Sequence, residues 1–140
     1  MIIGLGTDLC DVRRIEAALT RYGGRFAARI CSARERAKAE RRANTAGAYA
    51  LMFAAKEACA KALGTGFRQG VFFRDMEVLN RPSGKPYLVL SGGALRRLEA
   101  LTPKGLVALT DLSLSDEFPL AQAVVILQAV PGELAGLRHD

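Results

Sequence analysis

Apolar positions change their spacing several times along the 140-residue chain, and each change marks an element. Ile2 to Leu5 is a short apolar run that reads as a buried strand. Val12, Ile15, Leu19 and Tyr22 then recur at three- and four-residue spacing, the period of an amphipathic helix. Asp11 is placed to cap its start, and Gly23-Gly24 ends or loosens it. Ser32 followed by Glu35 is the spacing of a capping box and predicts a second helix from Ala33 to about Ala43. Thr45 is placed to cap a third helix, and Gly64 to close it. Met76 to Leu79 and Pro86 to Leu90 read as two strands joined by NRPSGK, a turn built from Pro and Gly. A short helix over Ala94 to Leu101 follows, then strands over Leu106 to Leu114 and Ala121 to Val130. One domain over 1–130 results, and residues 131–140, with little to bury, are expected to fray.

Half of the residues are apolar and 24% are charged, a composition of packed globules rather than disordered chains. The most apolar long window, Ala46 to Leu63, contains Lys56, Glu57 and Lys61, so it is no membrane span. Without a basic, apolar leader the expected location is the cytoplasm. Cys10, Cys31 and Cys59 are odd in number and widely spaced, which supports neither a disulfide framework nor a zinc ribbon; they read as small core residues. Charge is concentrated. Between Arg13 and Arg42 stand ten Lys or Arg against three acids, a net of +7 in a chain whose total is +6. A basic face of this kind suits an anionic partner, though a solvated helix face accounts for it equally well.

The third helix carries the most informative spacing. Phe53, Glu57 and Lys61 lie four apart and share one face, so an acid stands one turn ahead of an amine. Taken alone, that is a surface ion pair worth about 0.3–0.5 kcal/mol. The Gly64-Thr65-Gly66 end of the helix adds backbone able to approach a bulky anion. Asp8, at the mouth of the first strand, supplies a second carboxylate. Two carboxylates brought together repel unless a cation separates them, and hard oxygen ligands suit Mg2+. Lys56, one residue before Glu57, points elsewhere on the helix and reads as a neutral control for Lys61. The only histidine, His139, is in the tail, which argues against histidine-dependent nucleophilic or zinc chemistry. Gly4 and Gly6 do not begin a dinucleotide fingerprint, because Leu9 stands where the third glycine belongs, and GTGFRQG lacks the lysine of a phosphate-binding loop. What remains is metal-assisted chemistry on a phosphate ester, with Mg2+ as the Lewis acid and Lys61 screening negative charge.

IIGLGTDLCDVRRI and FAAKEACAKALGTG, with RFAARICSARE, RDMEVLNRPSGKPYLVL and LSLSDEFPLAQAVVIL, resemble the holo-acyl-carrier-protein synthases of the 4'-phosphopantetheinyl transferase superfamily over Ile2 to about Leu127. The resemblance implies an α+β fold, a small single domain with a mainly antiparallel sheet packed against helices, assembled as a homotrimer with active sites between subunits. It implies transfer of the 4'-phosphopantetheine arm of coenzyme A to a serine of apo-acyl carrier protein, with release of adenosine 3',5'-bisphosphate. Carried over residue by residue, Asp8 and Glu57 hold Mg2+ and Lys61 meets the phosphate. Gly64, Gly66, Lys85 and Pro86 lie on the coenzyme A side. Arg14 and Arg21, seven apart on the first helix, would receive the acidic carrier, joined by Arg25 if that helix persists through the glycines.

The resemblance departs at Met52, where members carry Arg or Lys, and at Asp111, where histidine is common; Asp111 is expected to bond locally instead. The alternative reading is a non-enzymatic basic nucleic-acid-binding module, suggested by a sequence pI near 9.7 and opposed by nine aromatic residues with no stacking motif. An inactive trimeric scaffold is the third.

Overall fold

In the computed structural model, which describes residues 1–136, the first apolar run continues well past Leu5 as strand β1 (Ile2–Asp11). It is followed by α1 (Val12–Tyr22), α2 (Gly24–Ile30), α3 (Ala33–Glu40) and α4 (Thr45–Leu63). A hairpin of β2 (Met76–Asn80) and β3 (Pro86–Leu90), then α5 (Gly92–Leu101), β4 (Leu106–Glu117), β5 (Leu120–Pro131) and the turn-length α6 (Gly132–Ala135) complete the described chain. The fold is α+β and antiparallel throughout, but the strands form two sheets, one ordered β1-β5-β4 and the other β2-β3. The four-residue α6 begins inside the segment expected to fray; residues 137–140, including His139, lie outside the described residues.

Periodicity finds the strands but not their full length. β1 pairs with β5 from Ile2 to Asp11, and backbone pairing carries it through the polar Thr7 and Asp8. Its inward face is formed by Gly4, Gly6, Asp8 and Cys10, whereas Leu5 and Leu9 point outward and are 60% and 61% exposed. The run is thus a strand whose glycines, rather than its large apolar side chains, face the helix. A Cβ on Gly6 would stand 1.9 Å from the Ala58 carbonyl oxygen, and one on Gly4 2.3 Å from that of Ala62. Absent side chains let α4 lie directly on β1, with the fully buried Ala54, Ala55 and Ala58 in the layer between. Overpacking of this kind costs about 1–3 kcal/mol or more.

The helix ends follow the sequence closely. Asp11 caps α1 by accepting from the Arg13 N–H, and Gly23, at φ 58°, ends it. Ser32 and Glu35 form the full capping box of α3, which stops at Glu40 rather than near Ala43. Asn44, not Thr45, caps α4 by accepting from Gly47 N–H, and Gly64 closes that helix in the left-handed region at φ 77°. α2 is an addition: Gly23 breaks the backbone, and a new short helix begins immediately. Cys10, Cys31 and Cys59 are buried and free, with burial pushing the Cys31 and Cys59 thiols up to about 12.

Lys56 corrects the sequence reading. It is 1% exposed, and its Nζ donates to Glu35 Oε1 at 2.7 Å and to the Ile30 carbonyl at 2.5 Å. Both side chains of this ion pair are sealed from water. Helix α4 is buried on most of its circumference, so the position beside Glu57 faces α3 rather than solvent. Removing one partner of such a pair costs about 3–5 kcal/mol, because a buried charge is left alone.

Candidate active site

Asp8 sits within β1, on the strand face turned toward α4. Lys61, in the last turn of α4, donates from Nζ to the Thr7 carbonyl at 3.0 Å and to Asp8 Oδ1 at 3.1 Å. The Glu57–Lys61 surface pair that the spacing taken alone allows gives way to a contact spanning 53 residues of sequence. Glu57, one turn earlier, has its carboxyl pKa raised by burial and by the Asp8 charge, while Lys61 and Arg14 pull it back down. Burial and the same Asp8 charge raise the Cys10 thiol. Asp8, Glu57, Lys61 and Arg14 thus share one electrostatic neighbourhood formed where β1 and the start of α1 meet α4.

This donor set fits a hard divalent cation. Two carboxylates press on each other, and the amine that relieves them remains exposed on over half of its side chain. Among the described residues no three or more His, Cys, Asp or Glu gather in one cluster. Mg2+ needs no such cage, since it takes one or two carboxylates and completes its shell with phosphate oxygens and water.

At the end of α4, Gly64 N–H donates to the Lys61 carbonyl at 3.0 Å and Gly66 N–H to that of Ala60 at 3.1 Å. Gly66 has φ 59°, and a Cβ there would meet nothing within 4 Å, so the turn borders open space. Two features of this end escape sequence reasoning. Arg97 of α5 donates from Nε to the Leu63 carbonyl at 2.9 Å, satisfying a terminal carbonyl from 34 residues away, and no local signal announces it. Phe67 and Phe73 stack at 3.9 Å between centroids, and Phe53 stacks on Phe73 at 5.8 Å. Only Phe53, one turn before Glu57, stood out in the sequence.

The remaining predicted residues divide. Arg14 and Arg21 are exposed on α1, the Arg21 guanidinium 5.3 Å from the Tyr22 ring. Arg25 is also exposed but belongs to α2, because the helix does not persist through Gly23. Arg13 is held by Asp11 at 2.6 Å, and its hydrogen bonds lower the Asp11 carboxyl to about 2. Lys85 and Pro86 line a cavity of about 390 Å³ with Arg81, Tyr87 and Asp111, and neither Asp8, Glu57 nor Lys61 borders it. One chain alone therefore does not bring the hairpin cavity and the carboxylate site together. Met52 is buried, its sulfur 3.8 Å from that of Cys31, so the side chain at this departure is a core contact. Asp111 accepts from Gln128 Nε2 at 2.9 Å, a side-chain bond from β4 to β5 across 17 residues of sequence rather than the local bond expected of it.

Residues 4–122 match the model of the 4'-phosphopantetheinyl transferase superfamily. A holo-[acyl-carrier-protein] synthase of Beijerinckia indica is 63% identical over 133 residues, 95% of each chain. One of Nitrobacter hamburgensis is 59% identical over 96% of this chain and all of its own. Among solved structures, the holo-[acyl-carrier-protein] synthase of Neisseria meningitidis superposes with a TM-score of 0.81 at 34% identity, covering 91% of this chain and 99% of that one. The Helicobacter pylori enzyme in complex with coenzyme A gives 0.75 at 27% identity, over 89% and 99%.

Proposed function

The chain belongs to the 4'-phosphopantetheinyl transferase superfamily, and on that premise we propose that it is a holo-[acyl-carrier-protein] synthase that moves the 4'-phosphopantetheine arm of coenzyme A onto a serine of apo-acyl carrier protein. The observation that carries the reading is the meeting of Asp8 and Lys61 across the β1–α4 contact, beside Glu57. Asp8 and Glu57 would hold a Mg2+, which when bound supplies positive charge to the coenzyme's diphosphate. The serine oxygen forms a bond to the phosphorus that bears the pantetheine arm, and the bond from that phosphorus to the bridging oxygen breaks. Adenosine 3',5'-bisphosphate leaves with the electron pair. Lys61, exposed and attached to Asp8 only at its tip, offsets charge on the departing phosphate. Glu57 is one candidate to receive the serine proton.

Arg14 and Arg21 form the face for the acidic carrier, with Arg25 at the edge of it. Gly64 and Gly66 approach the coenzyme, and Lys85 with Pro86 serves its nucleotide from a neighbouring subunit. That division requires more than one subunit, for which the family's trimer is the proposed form, and it is supported by the exposed Leu5 and Leu9 on the outer sheet face and by a hairpin cavity that Asp8 does not border. Among the described residues no helix is long and apolar enough to cross a membrane, and the free thiols suit the reducing cytoplasm.

The test is direct. Protein, coenzyme A, Mg2+ and apo-acyl carrier protein are incubated, and the carrier is weighed by mass spectrometry. Addition of one phosphopantetheine to the carrier is expected; an unmodified carrier, together with salt-sensitive binding of DNA or RNA, would replace the enzyme with a nucleic-acid-binding module.

A further inference from the structure

The only ion pair sealed from water on both sides among the described residues, Lys56–Glu35, has no part in the chemistry proposed above. Its contacts reach across the molecule. Lys56 Nζ binds the Ile30 carbonyl at the end of α2 and Glu35 Oε1 in α3. Glu35 Oε1 also accepts from Ser32 N–H at 2.8 Å, and Oε2 accepts from Val78 N–H of β2 at 2.9 Å. Val78 pairs with Leu88 of β3 on one side, so the carboxylate takes an N–H that no further strand covers. One carboxylate and one ammonium thus join α2, α3, α4 and the β2–β3 hairpin at a single buried point.

Those elements carry residues assigned to different contacts. Lys56 immediately precedes Glu57, α2 bears Arg25, and the hairpin bears Lys85 and Pro86. We infer that Glu35 and Lys56 are positioning residues for the transfer reaction, because their pair holds the metal helix, the carrier-facing helices and the nucleotide hairpin in one frame. An apolar pair of similar volume would fill the same space, and such replacements of buried ion pairs are often neutral or stabilising. Apolar groups are not directional, however, and leave the Val78 and Ser32 amides and the Ile30 carbonyl without these partners. The contact supplies position, which packing alone does not replace. The inference rests on the reading of Glu57 and the hairpin as parts of the transferase site.

The experiment compares the wild type with the double variant Glu35→Leu/Lys56→Met and with Glu35→Gln, which keeps the carboxyl's shape. Thermal midpoint, Mg2+ binding by calorimetry without coenzyme or carrier, kcat and both KM values are measured below the midpoint of each variant. The double variant should melt below the wild type, because the buried Val78 and Ser32 amides and the Ile30 carbonyl lose these partners. Where it is still folded it should lose at least about tenfold in kcat/KM, bind Mg2+ at least about threefold more weakly and show raised KM for both substrates. A folded variant lacking the pair that keeps wild-type kcat/KM and Mg2+ affinity would overturn the inference. If the double variant does not fold, Glu35→Gln is judged by the same criteria. Wild-type protein that leaves the carrier unmodified would instead remove the transferase reading, and the Mg2+ comparison would still decide whether the pair positions Glu57.

Discussion

Glu57 meets two opposed electrostatic demands. Burial and the neighbouring Asp8 penalise its ionised form, while Lys61 and Arg14 relieve part of the cost. A carboxyl whose pKa is higher folded than unfolded destabilises the fold once it ionises, so Glu57→Gln should raise the metal-free melting temperature at neutral pH. That gain should shrink as pH falls through the folded pKa, since protonated Glu57 then carries no charge to remove. Melting curves from acid to neutral pH check the sign, and turnover should fall by about a hundredfold or more. Near-normal turnover would remove Glu57 from the site. Lys61→Met keeps the aliphatic stem and deletes the ammonium, so its loss should fall on kcat more than on either KM. Lys56 cannot serve as the comparison, because it is buried against Glu35. The exposed Lys104 can. If Lys104→Met and Lys61→Met change kcat equally and slightly, the charge of Lys61 has no role in transfer.

Elements set the directions in which these residues act. Residues 14 and 21 are two turns apart at about 3.6 residues per turn, so they share a stripe of α1 opposite the buried Val12 and Ile15. The break at Gly23 confines that stripe to α1, which makes Arg14 and Arg21 the central pair. Single exposed ion pairs contribute on the order of 0.2–1 kcal/mol and weaken with salt. Reversing both residues to Glu should raise the carrier KM at least about tenfold, as repulsion replaces attraction twice. The KM for coenzyme A is read from Arg21→Glu alone, where it should change much less, because Arg14 lies within the field of Glu57. Kinetics at low and high salt separate the cases, and an equal loss for both substrates would make the stripe a solvated face.

At the scale of the molecule, the sheet β1-β5-β4 is covered by α4 on one side, while Leu5 and Leu9 stand open on the other. Leu5 lies across from Ile126 and Leu9 across from Gln122, so apolar and polar positions share this face. If the face closes a trimer, the native protein should sediment at three times its 15.0 kDa chain mass. Leu5→Asp with Leu9→Asp would place charges in the contact, lowering the mass toward one chain and the activity with it. A folded, fully active single-chain variant would exclude a shared site. The hairpin cavity gives the same experiment a second reading, since Lys85→Met should impair coenzyme binding only where subunits assemble.

The sequence alone determined what depends on near neighbours. The capping box at Ser32 and Glu35, the stop at Gly64 and the shared face of Phe53, Glu57 and Lys61 are all set within one or two helical turns. The family resemblance, carried by short motifs, was equally legible there. Tertiary structure decided what depends on distant partners. β1 extends to Asp11 because β5 pairs along it, and Gly4 and Gly6 matter because α4 lies against them. Lys61 turns to Asp8 rather than Glu57, and Arg97 reaches Leu63, through contacts that no local spacing encodes. Lys56 shows the limit most clearly: helical periodicity gives its direction relative to Glu57, but only the packing of α3 and β2 against α4 makes that direction the interior.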